Sequence, residues 1–376
     1  MNGISLRRLM AIVVKEFVQL RRDRLTFAMM IGIPIIQMAL FGFAINGDPK
    51  ALPTAVIARE QGTFTRSIVR ALENTGYFRI VAADFDDARA ERALARGEVQ
   101  FVLTVPAGFE RALRRGEHPA LLVEADATDP AATGNAIGAL LQLGSSALEH
   151  DLAGAAARPG APPPFEWRIQ RRYNPEGITQ YNIVPGLMGV ILTMTMIMMT
   201  GLAVTREVER GTMENLLATP VRPIEVLVGK IVPYVVIGYV QVAIILLVAR
   251  WVFDVPFAGS VVTLMAGTLA FIAASLTVGI TISSVARSQM QAMQMTFFFF
   301  LPSMLLSGFM FPFRGMPQWA QWIGEVLPLT HFLRFIRGVM LKGNEWPALW
   351  QHLWPLLLFT AIVLAVGLKR FRRTLD

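Results

Sequence analysis

The stretch TREVERGTMENLLATPVRPIEVLVGK, residues 205–230, concentrates four basic and four acidic side chains between two long apolar runs. Gly211 interrupts a polar helical extension, and Thr212 is a suitable N-cap for a short helix that ends at Pro220. Pro223 fits the first turn of the next helix. Such a bent amphipathic elbow can bind a partner protein, or it can be a solvated loop with capped ends.

No group of residues predicts catalysis or a bound metal. The four histidines, 118, 150, 331 and 352, lack ligand spacing, and the chain has no cysteine. The phosphate-binding pattern G-x-x-x-x-G-K-[ST] does not occur, because Gly229-Lys230 lacks the upstream glycine. The sequence therefore predicts a chain that is not an enzyme and holds no metal or cofactor of its own.

The composition predicts an α-helical integral membrane protein. Of 376 residues, 54% are hydrophobic and only 16% are charged, below the quarter usual in soluble domains. A membrane-spanning helix needs about 20 apolar residues. Six runs approach that length: Leu25–Ile45, Ile183–Val204, Ile231–Ala249, Ser260–Ile282, Met293–Phe313 and Leu353–Leu368. None of the six contains a charged residue or a histidine.

The basic residues predict the orientation of these spans. Six basic and two acidic residues precede the first span, and the tail at 369–376 has four basic and one acidic residue. Basic residues concentrate on the cytoplasmic side, so both termini and the elbow should be cytoplasmic. The outer segment at 314–349 is an exception, with four basic residues. Its apolar spacing predicts an interfacial or re-entrant helix pair. The apolar spacing within residues 1–24 likewise predicts an amphipathic helix on the inner leaflet.

Residues 46–180 differ from the rest of the chain. They carry 15 basic and 17 acidic residues, a charge of −2, so the +8 of the whole chain leaves +10 on the membrane part. The excess positive charge therefore gives no reason to expect nucleic-acid binding. Strand-like runs at 54–58, 78–83, 99–105 and 120–125 alternate with helical ones at 63–73, 86–96, 107–114 and 133–156. This pattern predicts an extracytoplasmic α/β domain inserted between spans one and two.

The elbow closely resembles that of the ABC-2 type permeases, the membrane subunits of ATP-binding cassette exporters. The family pattern R-E-x-E-R-G-T-x-E-x-L-x-x-T-P reads here as REVERGTMENLLATP, residues 206–220, followed by Arg222-Pro223 and Gly229-Lys230. The resemblance extends to the six-span layout and to the stretch before the last span. The large outer domain is most similar to that of permeases in bacterial drug-efflux systems.

The resemblance implies that the elbow docks onto a cytoplasmic ATPase, which binds ATP and Mg²⁺. It also implies a second permease, identical or not, in the bacterial inner membrane, and leaves room for a periplasmic adaptor and an outer-membrane channel. The residues assigned to ATPase coupling are Arg206, Glu207, Glu209, Arg210, Gly211, Thr212, Glu214, Leu216, Leu217, Thr219 and Pro220.

Because the predicted spans contain no charged residue, we expect a solute to cross the membrane at the interface between two permease subunits. Span two leads directly into the elbow and carries hydroxyls that could satisfy one another in an empty cavity, next to adaptable methionines. The predicted path residues are Thr193, Thr195, Met196, Met199 and Thr200.

These residues predict ATP-driven export of a hydrophobic or amphipathic, drug-like solute. Export of a lipid-linked or polymeric cargo is an alternative with the same architecture. A membrane-anchored sensor whose outer domain binds a ligand is an alternative of a different class.

Overall fold

The computed structural model describes residues 49–148, 151–152, 163–209 and 223–373. The predicted N-terminal helix at 1–24, the first predicted span at 25–45 and elbow residues 210–222 lie outside this part of the chain. The last residues of the predicted tail, 374–376, also lie outside it.

The first part of the described chain forms a mixed sheet with helices on both faces, here called the sheet unit. Its strands are β1 (Leu52–Ala58), β2 (Phe78–Ala82), β3 (Phe101–Val105), β4 (Ala120–Asp126) and β5 (Glu166–Arg172). Its helices are α1 (Thr63–Asn74), α2 (Asp87–Arg96), α3 (Phe109–Arg114) and α4 (Pro130–Ser146). Strands β1 to β4 and the four helices each overlap a run predicted from the sequence.

The strand order is β2-β1-β3-β4-β5, and only the β3–β4 pair is antiparallel. Alternate residues of a strand point to opposite faces. In β3, Phe101 and Leu103 therefore join the larger core with α1, α3 and α4, whereas Val102 packs toward α2 with Ala90 and Leu94. Strand β5 forms an edge and carries mostly exposed or half-buried polar residues.

The second part of the described chain is helical. Its long helices are α5 (Thr179–Glu209), α6 (Pro223–Trp251), α7 (Val261–Ser283), α8 (Gln289–Leu306) and α11 (Trp346–Arg373). Two shorter helices, α9 (Gln318–Val326) and α10 (Pro328–Met340), lie between α8 and α11. Helix α7 packs against α5, α10 and α11. Gly279 allows α5 and α7 to approach closely, since a Cβ atom there would lie 2.8 Å from the carbonyl oxygen of Ile197.

Four helices of the described chain are long and apolar enough to cross a membrane: Thr179–Arg206, Pro233–Trp251, Val261–Ser283 and Trp346–Gly367. They coincide with the second, third, fourth and sixth predicted spans. Helix α8 differs from the predicted fifth span, Met293–Phe313. It begins earlier because Ser288 caps it, accepting from the backbone N–H of Gln291 at 3.3 Å. It ends earlier because the chain turns at Gly308, whose φ is +83°.

Helices α9 and α10 form a pair with contrasting environments. In α10, Phe332, Leu333 and Phe335 are fully buried, and the Phe332 ring stacks on Phe271 of α7 with 4.1 Å between centroids. In α9 the apolar residues Trp319, Trp322, Ile323 and Val326 are exposed. Helix α10 therefore belongs to the core of the helical part, whereas the apolar stripe of α9 faces away from it.

The end of α2 joins the sheet unit to the helical part. The last carbonyl groups of a helix lack partners within it. Here four successive carbonyls, from Leu94 to Gly97, accept hydrogen bonds from side chains that lie more than 200 positions away. The donors are Lys342 to Leu94 at 3.1 Å, Asn344 to Ala95 at 2.9 Å, Gln351 to Arg96 at 3.1 Å and Arg314 to Gly97 at 3.0 Å. Lys342 and Arg314 are cations, and the negative C-terminal end of the helix dipole stabilises positive charge.

Lys342 anchors this junction. Its Nζ lies 2.5 Å from Oδ2 of Asp126 at the end of β4, and the two side chains are only 8% and 7% exposed. The other oxygen of Asp126 accepts from the backbone N–H and the hydroxyl of Thr128. The Lys342 ammonium also lies 5.1 Å from the centroid of the Tyr173 ring. The ion pair is thus enclosed, and each charge depends on its partner.

We expect Lys342→Met to weaken the junction, because methionine keeps the chain length but leaves the carboxylate of Asp126 buried without a counter-ion. Removing one partner of a buried ion pair costs about 3–5 kcal/mol. The midpoint of thermal unfolding of the purified protein, with the rate of proteolysis within the sheet unit, measures the loss.

Arg250→Met is the matched control, because Arg250 forms an exposed pair with Asp254 at 3.3 Å. An exposed pair contributes at most about 1 kcal/mol. Adding Asp126→Asn to Lys342→Met should restore part of the stability by removing the unpaired charge. Equal effects of Lys342→Met and Arg250→Met would refute the anchoring role.

Candidate functional site

The described part of the elbow is tied to the start of α8. Arg206 Nε donates to Oε1 of Gln289 at 3.3 Å, and Nε2 of Gln289 donates to Oε2 of Glu209 at 2.8 Å. One amide therefore links two predicted coupling residues to the next helix. The side chain of Glu207 and residues Arg210, Gly211, Thr212, Glu214, Leu216, Leu217, Thr219 and Pro220 lie outside the described part.

Gln289 was not predicted as part of this site, although the start of α8 offered a signal. Gln289, Gln291 and Gln294 place three amides within an otherwise apolar run. Gln291 accepts from the backbone N–H of Arg287 at 2.9 Å and so orders the turn before α8. Amides at the end of a span can form hydrogen bonds without the desolvation cost of a charge.

Three of the predicted path residues on α5 are buried within this chain. Thr193 is 1% exposed, Met196 is fully buried and Thr200 is 2% exposed. The Thr193 hydroxyl donates to the carbonyl of Gly189 at 2.7 Å, and the Thr200 hydroxyl donates to that of Met196 at 2.8 Å. The expectation that these hydroxyls satisfy one another is wrong. A threonine in a helix reaches the carbonyl four residues earlier, which satisfies it locally.

Thr195 and Met199 are placed differently. Both are half-buried, and Thr195 continues the stripe of exposed residues Ile183, Leu187 and Ile191 at a spacing of four. Residues at this spacing lie on one face of a helix. The Thr195 hydroxyl lies 2.9 Å from Oε1 of Gln241 on α6. The two helices therefore present a small polar pair beside an otherwise apolar outer face.

Gln241 was also not predicted. It is a glutamine in the middle of an apolar run, YVQVAII, and an uncharged polar residue within a predicted span is itself a signal. Gln241 is half-buried, and Val240 directly before it and Ile244 one turn after it are 53% and 55% exposed. The amide of Gln241 therefore lies close to the outer surface of the helical part.

A cavity of about 390 Å³ lies between the sheet unit and the segment around α9 and α10. Its charged lining comes from both parts. The sheet unit contributes Arg96, Glu98, Asp126 and Asp129, and the segment around α9 and α10 contributes Arg314, Glu325, Arg334, Arg337 and Lys342. The four basic residues of the predicted outer segment, which broke the positive-inside pattern, all line this cavity.

Hydrogen bonds hold most of these groups in place. Arg334 pairs with Glu325 through two bonds, of 2.7 and 3.0 Å, and lies over the Phe313 ring. Arg337 donates from both terminal nitrogens to the carbonyl of Gly308 at 3.3 Å. Burial lowers the pKa of Arg314 to about 10 and also lowers the pKa of Arg337, and the nearby Arg334 acts in the same direction on both.

Asp129 lies where α4 and α5 meet the cavity. It caps α4 by accepting from the backbone N–H of Ala131 at 3.2 Å, and Asn182 of α5 donates to the same oxygen at 3.3 Å. Burial raises the pKa of Asp129, although the Arg337 guanidinium and the backbone N–H groups of Ala132 and Ala131 oppose the shift. The N-terminal part of α5 is thus bonded to the sheet unit, as its C-terminal part is to α8.

Among the described residues, no group of three or more histidine, aspartate or glutamate side chains is arranged to hold a metal ion. The arrangement instead combines long apolar helices, a charged elbow at one end of α5 and a polar cavity near its other end. These features suit binding and movement of a solute.

Comparison with known proteins gives the same assignment over nearly the whole chain. The family described as "ABC-2 family transporter protein" matches residues 24–369. The chain is 28% identical to "Probable multidrug ABC transporter permease YbhR" of Escherichia coli, over 97% of this chain and 98% of that protein. It is also 28% identical to "Probable multidrug ABC transporter permease YbhS", over 99% of both chains. It is 27% identical to "Inner membrane transport permease YhhJ" of the same organism, over 98% of both.

The family match includes every described helix and strand of the sheet unit, the long apolar helices and the charged elbow between α5 and α6. Because it extends over most of the sequence, this chain belongs to the ABC-2 family of transporters, whose permeases cross the membrane several times and work with an ATP-binding cassette partner.

Proposed function

We propose that this chain is the permease subunit of an ATP-driven exporter that moves hydrophobic or amphipathic, drug-like solutes outward across the inner membrane. The observation that carries the proposal is the elbow pattern at residues 206–220, directly continuous with a long apolar helix. The names of the full-length relatives YbhR and YbhS support drug-like solutes. ATP and Mg²⁺ bind to the separate ATPase.

The proposed arrangement has six spans with both termini in the cytoplasm, and the sheet unit lies outside the inner membrane. The first span is residues 25–45 and the fifth includes α8. Helices α9 and α10 lie at the outer face, where the exposed tryptophans of α9 suit the membrane interface. A periplasmic adaptor and an outer-membrane channel fit this orientation, since a solute released beside the sheet unit would still have an outer membrane to cross.

The coupling role rests on α5. Its 31 residues span about 46 Å at 1.5 Å per residue, so one continuous helix reaches from the sheet unit to the elbow. Movement of the elbow by the ATPase would tilt this helix, which carries Thr195 and Met199 on or beside its outer stripe. A second permease facing that stripe would complete a route that a single subunit leaves open.

Charge reversal tests the coupling surface. We expect Glu207→Lys combined with Glu214→Lys to reduce co-purification of the ATPase by about tenfold or more, because like charges brought together across an interface cost several kcal/mol. The amount of ATPase recovered with the permease and the drug-stimulated rate of ATP hydrolysis measure the effect.

Asp84→Lys combined with Glu117→Lys makes the same change of charge on exposed sites of the sheet unit and should leave the ATPase bound. The amount of permease in the membrane fraction should be unchanged in both variants. Wild-type coupling in the Glu207/Glu214 variant would contradict the assignment of the elbow.

Bulky substitutions test the route. We expect Thr195→Trp and Met199→Trp each to reduce drug efflux by about tenfold or more, because indole would fill the space beside the outer stripe of α5. Ile362→Trp places the same side chain at a residue of α11 that is 55% exposed, and it should transport normally. Efflux at the wild-type rate in both α5 variants would rule out this path.

Cysteine labelling tests the orientation, since the chain has no cysteine of its own. In spheroplasts, an impermeant maleimide should label Arg89→Cys and Arg115→Cys, which are exposed sites on the sheet unit. Arg287→Cys, in the exposed turn before α8, should react only after the membrane is opened. The opposite pattern would invert the proposed topology.

A further inference from the structure

The cavity between the sheet unit and α10 contains more positive charge than its carboxylates neutralise. Lys342 pairs with Asp126, Arg334 pairs with Glu325, and Arg96 pairs with Glu98 at 3.5 Å. Among the described residues, no carboxylate oxygen lies within 4.0 Å of the nitrogens of Arg314 or Arg337. These two guanidinium groups instead donate to the neutral carbonyls of Gly97 and Gly308.

Arg337 is the clearest sign of a missing ligand. Its Nε atom is buried and has no hydrogen-bond partner in the described structure. An unpaired buried donor on a charged group is costly, and the cost is removed when an acceptor binds. Arg314 has further guanidinium N–H groups beyond the one that bonds to Gly97, since arginine carries five donors.

The remaining carboxyl group on the cavity wall does not fill this role. Asp129 acts on Arg337 electrostatically, but no bond of 4.0 Å or less joins them, and one of its oxygens is already held by Ala131 and Asn182. Its buried position favours the neutral acid. Arg314 and Arg337 therefore face the cavity with an unmatched preference for an anion.

We propose that this cavity binds a phosphate group, held by the guanidinium groups of Arg314 and Arg337. Arginine presents parallel N–H donors that match the oxygens of phosphate, and phosphate accepts several such bonds at once. A cavity of about 390 Å³ has room for a phosphate together with a small esterified group such as glycerol.

The surroundings indicate how such a group would arrive. Helix α9 turns Gln321 and Glu325 toward the cavity, whereas Trp322, Ile323 and Val326 on its other side are 67%, 47% and 66% exposed. In the membrane orientation proposed above, this apolar side meets the outer part of the bilayer. An amphipathic molecule could place its phosphate in the cavity and its acyl chains along α9, whereas free phosphate would enter from the aqueous side.

This inference deepens the proposed function, because a phosphate-bearing amphipath would be a transported solute or a lipid that the working exporter requires. The test uses the purified permease without ATPase or ATP, so it can fail while drug export and ATPase coupling remain intact. Conversely, the loss of coupling in elbow variants would not affect binding at the cavity.

The experiment measures the rise in unfolding temperature of the full-length permease in detergent as three probes are titrated. The probes are inorganic phosphate at constant ionic strength, dihexanoylphosphatidylglycerol and dihexanoylglycerol, which has the same acyl chains but no phosphate. We expect the phospholipid to bind and dihexanoylglycerol to have little effect. Arg314→Gln and Arg337→Lys should each weaken phosphate-dependent binding by about tenfold or more.

Arg337→Lys keeps the charge and loses only the fork of donors, so it gives a result even if a neutral variant fails to fold. Arg250→Gln changes an exposed ion pair that does not line the cavity, so this variant should bind the probes like the wild type. Tight binding of inorganic phosphate alone would support the site and identify free phosphate as its source. Equal binding of dihexanoylglycerol, or equal losses in Arg250→Gln, would overturn the proposal.

Discussion

The organisation of this protein depends on where helix α2 ends. A helix that terminates inside a molecule leaves carbonyl groups without partners, and each must be satisfied or the end must stay in water. Here donors from four separate points of the segment between Arg314 and Gln351 satisfy them. Those donors lie before α9, after α10 and on α11. The sheet unit therefore cannot move away from the helical part without exposing the carbonyls and the Lys342–Asp126 pair together.

Because the sheet unit is fixed to the helical part, helix α5 is held at both ends. Near its start, Asn182 bonds to Asp129 of the sheet unit, and at its end Glu209 is bonded to α8 through Gln289. Close packing on α7 at Gly279 limits bending between these two points. Any displacement at the elbow would therefore be transmitted along a helix whose other end contacts the wall of the polar cavity. Export driven by the ATPase requires such a mechanical connection. The proposed phosphate site lies in the cavity near the N-terminal end of α5.

Much of the architecture follows from local patterns. The strand-like and helix-like runs of residues 46–180 predicted the order of elements in the sheet unit, because alternation of apolar residues reports directly on a two-faced strand. The length of an apolar run similarly predicted α5, α6, α7 and α11. It misplaced the ends of α8, which Ser288 and Gly308 set, because helix capping and chain reversal depend on single residues that an average hydropathy does not detect. The elbow pattern indicated the family from about 25 consecutive residues.

The sequence by itself therefore determined the membrane class and the alternation of strands and helices in the sheet unit, since these depend on residues close together along the chain. Only the tertiary structure decided which side chains meet across hundreds of positions. It buried Thr193, Met196 and Thr200 while leaving Thr195 and Met199 partly accessible. It also showed why the outer segment carries four basic residues. They line a cavity where Glu325 and Asp126 pair with two of them and backbone carbonyls accept from the other two. Pairings of that kind leave no periodic signal in a sequence.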